Sequence, residues 1–477
     1  MTKKKSPTLK KSPNKNLEEN IPELSKIKSE CYVYSLNYIH GDLDFKDFIE
    51  SYKSIMTPSY FKRLVHTSKF MFENVGYGIF ICLKNGKIHT FQPFANIYDE
   101  KKNTNNLTLN DIELFYQQKI KDLKITKNKL YHRIVKARKQ WVVSGCNFFY
   151  WNDWWKDFEG YIHTYYDLLI NSIKNPKINT CFFINLFDLP VMNKKECIEF
   201  MKEDFEYKNC NTKNIHKLFI PVLSACTTKL HFDDLNIFPD AWELVSQKKF
   251  GNNCRELYYN VTKDINTNWV EKTNKIVFRG RNTSCHPNDF NRNIRLKVSE
   301  IVNDIISDNE SIKDKSEKIN IKIDVGLNAL TTNTLYYNNK LTYSNPKYIQ
   351  SRIKLKEGIP MTKQSNFKYI LDMDGFVTPW RLCFELSYNS CIILIMSEYI
   401  SWFYDKLDHK KNIFMINQYT DVKQQLKDSL VYFSQNDKEA ERIANGSLEL
   451  YKKIMNLEYI IYYMTTKLSD NYYNMNL

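Results

Sequence analysis

The 477-residue sequence contains little glycine, no paired cysteines and no long apolar segment. Glycine occurs only 12 times, and the 11 cysteines are scattered without a C-x-x-C pair. This pattern indicates neither a zinc site nor a disulfide framework and is typical of free thiols in a reducing compartment. No run of 18 apolar residues occurs, and the charged N-terminus lacks the apolar stretch of a signal peptide. We therefore expect no membrane span and a cytoplasmic location.

The sequence does contain ample material for packed cores. Hydrophobic residues make up 43% of the chain and aromatic residues 14%, which excludes a mostly disordered protein. A chain of this length favours two domains. The net charge is +15, but six lysines and no acid fall within the first 16 residues. We therefore predict a disordered basic tail over residues 1–28 and do not expect a nucleic-acid partner.

Apolar runs alternate with helical patterns along much of the chain, which predicts doubly wound parallel sheets. Polar residues that follow the runs are of special interest, because ligands bind at the carboxyl ends of parallel strands. We also predict a hairpin over 76–91 and a charged helix over 109–139. The C-terminal region is predicted to be helical over 421–467, with a break at 445–446. The predicted strands lie at 180–187, 218–223, 275–278, 319–325, 369–372 and 391–396, and helices at 291–306 and 378–389.

The segment 369–377 (YILDMDGFV) admits three interpretations. Asp372 and Asp374 could chelate a divalent cation that bridges a nucleotide diphosphate. The same pair could be the nucleophile and acid of a haloacid-dehalogenase-like phosphatase. Alternatively, the segment is a strand-to-helix turn that brings Gly375 close to a ligand and places Arg381 at the start of the next helix. Asp374 alone could also be an N-capping acid.

The phosphatase interpretation fits the sequence least well. Its motif normally opens a domain, whereas this segment stands near the end of the chain, and Phe376 occupies a position where a small hydroxyl residue is expected. No downstream lysine followed by a pair of aspartates is evident, and none of the nine histidines has a spacing that suggests a metal site.

Three segments together resemble glycosyltransferase family 90, which includes protein O-glucosyltransferases, capsule-associated xylosyltransferases and many members from giant DNA viruses. Residues 367–394 resemble its donor-site segment, residues 275–284 (KIVFRGRNTS) its Phe-Arg-Gly-Ser-x-Thr motif, and residues 184–190 (INLFDLP) its Asn-x-Arg-Asp-x-Pro motif. The three occur in the family's order. The resemblance implies a viral glycosyltransferase acting in the host cytoplasm.

The resemblance also implies roles for individual residues. Asp188 aligns with the family's catalytic aspartate, which makes it the candidate general base, although it could also be an ordinary turn acid before Pro190. Arginines that grip a diphosphate could replace a metal ion, so the resemblance implies a metal-independent enzyme without a cofactor. The implied donor-binding residues are Arg279, Gly280, Arg281, Asn282, Thr283, Asp372, Asp374, Gly375, Phe376 and Arg381.

Two departures from the family pattern concern this site. Phe187 replaces the arginine that precedes the catalytic aspartate, and Arg281 replaces the serine of the phosphate motif. Either change could alter the choice of donor or mark a non-catalytic relative that binds a sugar or a nucleic acid. From the sequence alone Arg279 could also form a salt bridge within the sheet instead of contacting a phosphate.

The implied fold is α/β of the GT-B type, in which two Rossmann-type domains face each other across a cleft and C-terminal helices cross back. We place the acceptor-side domain at 29–262, the donor domain at 263–440 and the C-terminal helices at 441–477. The expected reaction is inverting transfer of a hexose or pentose, glucose or xylose in particular, from a UDP-sugar to a hydroxyl. The expected partners are thus a nucleotide sugar and a glycan or protein acceptor.

Overall fold

The structure is a computed structural model with a mixed α/β fold. It describes residues 46, 48–75, 77–95, 165, 168–169, 178–186, 189–208, 210–211, 213–232, 237–240, 243–244, 265–284, 286–331, 335–337, 340–342 and 344–469. The predicted tail over 1–28 and the predicted helix over 109–139 lie outside these residues. No helix in the described part of the chain is both long and apolar enough to cross a lipid bilayer.

The strands and helices are numbered in chain order. The strands are β1 (Tyr77–Lys84), β2 (Lys87–Ala95), β3 (Thr180–Ile184), β4 (Val222–Leu223), β5 (Cys226–Thr227), β6 (Thr273–Arg281), β7 (Lys322–Ala329), β8 (Leu335–Tyr337), β9 (Lys340–Thr342), β10 (Phe367–Met373), β11 (Cys391–Met396), β12 (Ile400–Ser401) and β13 (Phe414–Asn417). The α-helices are α1 (Pro58–Phe70), α2 (Lys194–Phe205), α3 (Ile294–Ser311), α4 (Pro346–Arg352), α5 (Met361–Gln364), α6 (Leu382–Glu385), α7 (Val422–Gln435), α8 (Asp437–Ile454) and α9 (Leu457–Ser469).

The N-terminal sheet has the order β2-β1-β3-β4, with β1 antiparallel to both neighbours and β3 parallel to β4. The predicted hairpin is confirmed, since Asn85 and Gly86 have φ values of 51° and 66° and join β1 to β2. Two consecutive left-handed residues match the twist of a hairpin, and Asn-Gly tolerates them. The predicted strand over 218–223 is only partly confirmed, because a 3-10 turn at Ile215–Leu218 leaves β4 with two residues.

The C-terminal sheet is wholly parallel and has the order β13-β11-β10-β6-β7. When the five strands are numbered along the chain and the sheet is read from β7 to β13, the order is 2-1-3-4-5. The strand order therefore reverses between β6 and β10. In doubly wound sheets the crevice that binds ligands opens at such a switch point, outside the carboxyl ends of the strands.

Both faces of the parallel sheet are buried, as its continuous apolar runs predict. On β10, Tyr369 and Leu371 face a core built with α3, α7 and α8, whereas Ile370 faces the opposite way. The core around Ile370 also contains Leu386 and residues of α9, and it includes apolar residues of β1 and β3 such as Ile184. One hydrophobic cluster thus contains side chains of both sheets.

The predicted helix break at 445–446 is wrong. Helix α8 runs through Asn445 and Gly446, and the interruptions lie around Asn436 and Asn456 instead. Gly446 permits a close approach of another segment, because a Cβ at this position would clash with the carbonyl oxygen of Lys411. Glycine here serves packing rather than a turn.

Candidate active site

A cavity of about 530 Å³ opens at the switch point of the parallel sheet. One side is formed by the end of β6 and by the turn that follows β10. The other lining residues lie around β5 and β12 and include Asp240 and Glu243. Of the residues predicted to bind a donor, Gly280, Arg281, Thr283, Gly375, Phe376 and Arg381 line this cavity.

Arg381 immediately precedes α6 and is held by buried carboxylates. Its Nε and Nη2 donate to Asp372 Oδ1 at 2.9 and 2.8 Å, and its Nη1 donates to the backbone oxygen of Arg279 at 2.9 Å. Its Nε also lies 3.2 Å from Glu385 Oε1. The guanidinium stands over the Phe278 ring at 4.8 Å, where the ring face attracts a cation. These contacts fix the orientation of Arg381 while its side chain remains 13% exposed.

Two buried acids flank this one arginine. Burial first, and then the negative charge of Asp372, raise the pKa of Glu385 well above its usual range, although Arg381 opposes the shift. The shift favours the protonated form of Glu385. Asp372 Oδ2 and Glu385 Oε2 are buried and have no hydrogen-bond partner among the described residues. Asp372 is fully buried and already paired, which favours the ligand-turn interpretation of its segment.

Arg295 is the cationic residue that sequence reasoning missed. It is the second residue of α3, after the N-cap Asn293, and its guanidinium joins the two loops of the switch point. Its Nη1 donates to Thr283 Oγ1 at 2.7 Å and to the backbone oxygen of Arg281 at 3.2 Å, and its Nε donates to the backbone oxygen of Asp374 at 2.8 Å. A signal was present in the sequence, because the predicted helix begins just after the phosphate motif.

Buried carboxyls lie close to the arginines that line the cavity. Burial first, and then the neighbouring Arg381, lower the pKa of Arg295 to about 9, although Asp372, Asp374 and Glu385 oppose the shift. Burial also raises the pKa of Asp374 to about 7, and Asp372 adds to this shift. Arg281 is exposed. An anionic ligand would therefore gain from all three arginines.

The structure places Arg279 in the salt bridge that the sequence left open. Its Nη2 donates to Asp324 Oδ1 at 2.8 Å, its Nη1 to the backbone oxygen of Asp324 at 2.6 Å, and its Nε to the backbone oxygen of Glu357 at 2.6 Å. Arg279 is not among the residues that line the cavity. We therefore no longer expect it to contact a phosphate. Its role in the site is to present its backbone oxygen to Arg381.

Two other predicted residues support the loops rather than line the cavity. Asn282 is fully buried, and its side chain donates to the backbone oxygen of Pro287 at 3.1 Å and accepts from the backbone N–H of Thr331 at 2.7 Å. Asp374 Oδ2 accepts from Ser397 Oγ. The predicted helix over 378–389 is shorter than expected, since α6 begins at Leu382, so Asp374 cannot be its N-cap.

Gly375 is needed where the two loops approach each other. A Cβ at this position would lie 2.6 Å from Thr283 Oγ1 and 3.1 Å from Arg295 Nη2. The shorter distance would require Thr283 to move, and Thr283 Oγ1 is the atom to which Arg295 Nη1 donates. The glycine of the predicted ligand turn thus keeps Arg295 in place.

Two acids also line the cavity, and nothing in the sequence pointed to them. Asp240 and Glu243 line it together with Cys226 and Ser401, which are paired across the β5–β12 ribbon. Glu243 Oε2 accepts from the backbone N–H of Asp240 at 2.9 Å and from Trp402 Nε1 at 2.6 Å. In the described part of the chain, no cluster of three or more His, Cys, Asp or Glu side chains could hold a metal ion.

Asp188 and Phe187 lie outside the described residues, so the role of Asp188 stays a prediction. The residues on either side are described. Asn185 follows β3, and its Nδ2 donates to the backbone oxygen of Leu189 at 2.8 Å and to Ser224 Oγ at 3.1 Å. Ser224 directly precedes Ala225, which lines the cavity.

A doubly wound sheet with three arginines in its switch-point cavity is typical of proteins that bind phosphate-containing ligands. Residues 182–475 match the family described as Glycosyl transferase family 90. The chain belongs to glycosyltransferase family 90, as the sequence motifs predict. Its class is therefore that of a glycosyltransferase.

The curated relatives are viral proteins, in agreement with the expected origin. Uncharacterized protein 179R of Invertebrate iridescent virus 6 is 25% identical over 449 residues, covering 84% of this chain and 36% of that protein. Uncharacterized protein 035R of Invertebrate iridescent virus 3 is 22% identical over 413 residues, covering 83% and 35%. The chain thus spans about a third of the length of these relatives. The crystal structure of TarM matches at 14% identity and a TM-score of 0.31, covering 55% of this chain and 52% of that one.

Proposed function

We propose that this chain transfers a hexose or pentose from a UDP-sugar to an acceptor hydroxyl, with inversion and without a metal ion. The observation that carries the proposal is the group of three arginines in the switch-point cavity, Arg281, Arg295 and Arg381. Both phosphate groups of a nucleoside diphosphate carry negative charge. Two fixed guanidinium groups and one exposed arginine can stabilise that charge as the diphosphate departs.

The rest of the proposed mechanism rests on family membership. Asp188 would take the proton from the acceptor hydroxyl as that oxygen attacks the anomeric carbon and the bond to the diphosphate breaks. The two sheets would belong to facing domains of the GT-B type, with the cavity in the cleft between them. Glucose or xylose would be the donor sugar, and a glycan or protein the acceptor.

The alternative phosphatase function is not supported by the geometry. Its nucleophile would be Asp372, whose side chain has no exposed surface. Both nearby donors, the guanidinium of Arg381 and the backbone N–H of Met373, bind the same oxygen, Asp372 Oδ1. A carboxylate held in this way cannot reach a phosphate ester in the cavity.

Replacement of Arg281 tests the diphosphate site. We expect Arg281→Ala to weaken UDP binding about 10-fold or more in calorimetry, because a charge-assisted contact to a phosphate is lost. Arg281 is exposed, so the variant should fold normally. Arg292→Ala is the matched control, since Arg292 is 62% exposed, lies outside the cavity and pairs only with Asp289 among the described residues. Absence of UDP binding to the wild-type chain would overturn the proposal.

Replacement of Asp188 tests the proposed base. We expect Asp188→Asn to lower kcat for sugar transfer or donor hydrolysis by about 10²- to 10⁴-fold, while UDP affinity stays unchanged. Turnover should be the same with and without EDTA. Turnover that EDTA abolishes would contradict the metal-independent mechanism, and full activity of Asp188→Asn would remove this residue from it.

A further inference from the structure

Cys82 and Cys181 face each other on neighbouring strands of the N-terminal sheet. They stand directly opposite in the antiparallel register of β1 and β3. Both side chains belong to the hydrophobic cluster that also contains residues of α1 and α2, so they lie on the same face of the sheet. Neither cysteine forms a disulfide in this structure. The fold thus places two thiols side by side although they are far apart in the sequence.

The backbone hydrogen bonds of Cys181 show which kind of cross-strand pair this is. Its N–H donates to the Tyr60 hydroxyl at 3.3 Å, and that hydroxyl donates to the backbone oxygen of Cys181 at 2.9 Å. Two residues further along β3, the N–H of Phe183 donates to the backbone oxygen of Pro221, which directly precedes β4. The backbone groups of Cys181 therefore point away from β1. Cys82 and Cys181 form a non-hydrogen-bonded pair, the kind in which opposite side chains are closest.

A pair of this kind meets the geometric requirement of a disulfide. Its Cα atoms are typically about 4.5 Å apart, at the short end of the range of roughly 4.4–6.8 Å that a disulfide spans. Burial raises the pKa of the Cys181 thiol well above its usual range, and a hydrogen bond with the Cys82 side chain adds to the shift. The two thiols are thus already in contact. A cross-link requires no change of register, and the short separation makes the bond easier to reduce.

We propose that Cys82 and Cys181 form a reversible cross-strand disulfide when the protein is exposed to a low-molecular-weight disulfide. One cysteine, as its thiolate, attacks the S–S bond of the small disulfide, and one small thiolate leaves. The other cysteine then attacks the protein sulfur of this mixed disulfide, and the second small thiolate leaves. The two cysteines lose two electrons and two protons, and the small disulfide becomes two thiols. The cross-link holds β3 against β1, and β3 is followed in the chain by the segment that contains Asp188.

Burial makes this a slow reaction in the folded protein. Cys82 and Cys181 are 1% and 0% exposed, and a thiol that burial keeps protonated is a poor nucleophile. Local opening of the N-terminal sheet must therefore precede the attack. The pair responds to sustained rather than brief oxidation, and Cys210, which is more exposed, should react with glutathione disulfide first.

The test treats the full chain with glutathione disulfide until the product no longer changes, followed by alkylation in denaturant and peptide mapping by mass spectrometry. A second arm refolds the chain from urea in a mixture of glutathione and its disulfide, which gives the oxidant access to both thiols. We expect a peptide that joins Cys82 to Cys181, with a mass about 2 Da below the sum of the two reduced peptides, the loss of two hydrogens. Excess reduced glutathione should restore both thiols.

Two variants complete the experiment. In Cys82→Ala, Cys181 should form no cross-link within the chain. Cys210→Ala is the matched control, because Cys210 lies outside the two strands, and this variant should join Cys82 to Cys181 as the wild type does.

The outcomes decide the inference without reference to sugar transfer. Absence of the Cys82–Cys181 peptide in both arms overturns it, and so does a main product in which either cysteine is joined to a third one, such as Cys197 of the same cluster. A cross-link that reduced glutathione does not reverse contradicts the reversible pair. None of these measurements involves UDP or a UDP-sugar, so the proposed function stands or fails separately.

Discussion

Arg279 and Arg381 stand at the carboxyl ends of neighbouring strands, and each pairs with a carboxylate, yet the two clusters have opposite composition. Around Asp324, three cations share one acid, since Lys275, Arg279 and Lys356 all lie within 3.6 Å of it. Around Arg381, two acids share one cation. Asp324 is 23% exposed, whereas Asp372 has no exposed surface.

This difference indicates which of the two arginines, Arg279 or Arg381, is available to a ligand. Solvent relieves the excess positive charge around Asp324, so that cluster can use all of its arginine donors to join β6 to β7 and to the segment at Glu357. Asp372 and Glu385 have almost no exposed surface, and the raised pKa of Glu385, which favours its protonated form, lessens the excess negative charge instead. Two carboxyls then fix one guanidinium at the edge of the cavity.

The largest expected effect comes from replacement of Arg381, whose two partner acids are excluded from solvent. Arg381→Met leaves Asp372 as a buried charge without a cation, and we expect a loss of about 3–5 kcal/mol in the free energy of unfolding. Arg279→Met leaves Asp324 partly exposed and still paired with two lysines, so we expect a loss of about 2 kcal/mol. Urea denaturation of the two variants and the wild type measures both values.

Equal losses in the two variants would contradict the contrast between the clusters. The same pair also sharpens the assignment of the ligand site. UDP affinity should fall in Arg381→Met by more than the change in stability explains, whereas folded Arg279→Met should bind UDP nearly as the wild type does, because Arg279 does not line the cavity. Calorimetry well below the unfolding temperature separates binding from folding.

The parallel sheet could be predicted from the sequence because its strands are buried on both faces. The strand predicted at 391–396 has the same bounds as β11, and the predicted runs at 275–278 and 369–372 lie within β6 and β10. The short strand β4 was not predictable in length, since its apolar run begins in a 3-10 turn. Apolarity alone does not separate a buried turn from a buried strand.

The sequence predicted which residues lie near the ligand site, because they follow the ends of strands. It did not predict which of their side chains line the cavity, because that depends on a local irregularity of the backbone. Ideal strand alternation would give Arg279 and Arg281 the same environment. The register of β6 against β7 shifts between Gly280 and Arg281, and such a bulge re-aims the side chain that follows. Arg279 therefore pairs with Asp324 while Arg281 lines the cavity. Asp240 and Glu243 lie far from the strand ends in sequence, and no local sequence pattern predicts that they line the cavity.

The pH dependence of the free energy of unfolding should show a smaller effect. It distinguishes the two clusters because the pKa of Glu385 is raised and that of Asp324 is lowered. The folded pKa of Glu385 is raised, so the folded state holds a proton that the unfolded state releases above its ordinary pKa of 4.5. Stability must then fall as pH rises towards the folded value. Glu243, with a pKa of about 8, and Asp374, with a pKa of about 7, act in the same direction. We expect the wild-type free energy of unfolding to fall between pH 6.5 and 8, by as much as about 1.4 kcal/mol per pH unit for each of these acids.

Glu385→Gln and Asp324→Asn form the matched pair for this prediction. Glutamine mimics the protonated acid, so Glu385→Gln should be nearly neutral at pH 6.5 and should flatten the fall towards pH 8. Burial opposes ionisation of Asp324, but hydrogen bonds from Arg279 and Lys356 outweigh it and hold its pKa below the usual value. Asp324 is thus ionised in both states across this range. Asp324→Asn should therefore lower stability by the same amount at both pH values, and the measurement is urea denaturation at pH 6.5 and 8. An unchanged slope in Glu385→Gln would mean that Glu385 is already ionised beside Asp372, and the account of how Arg381 is held would then be wrong.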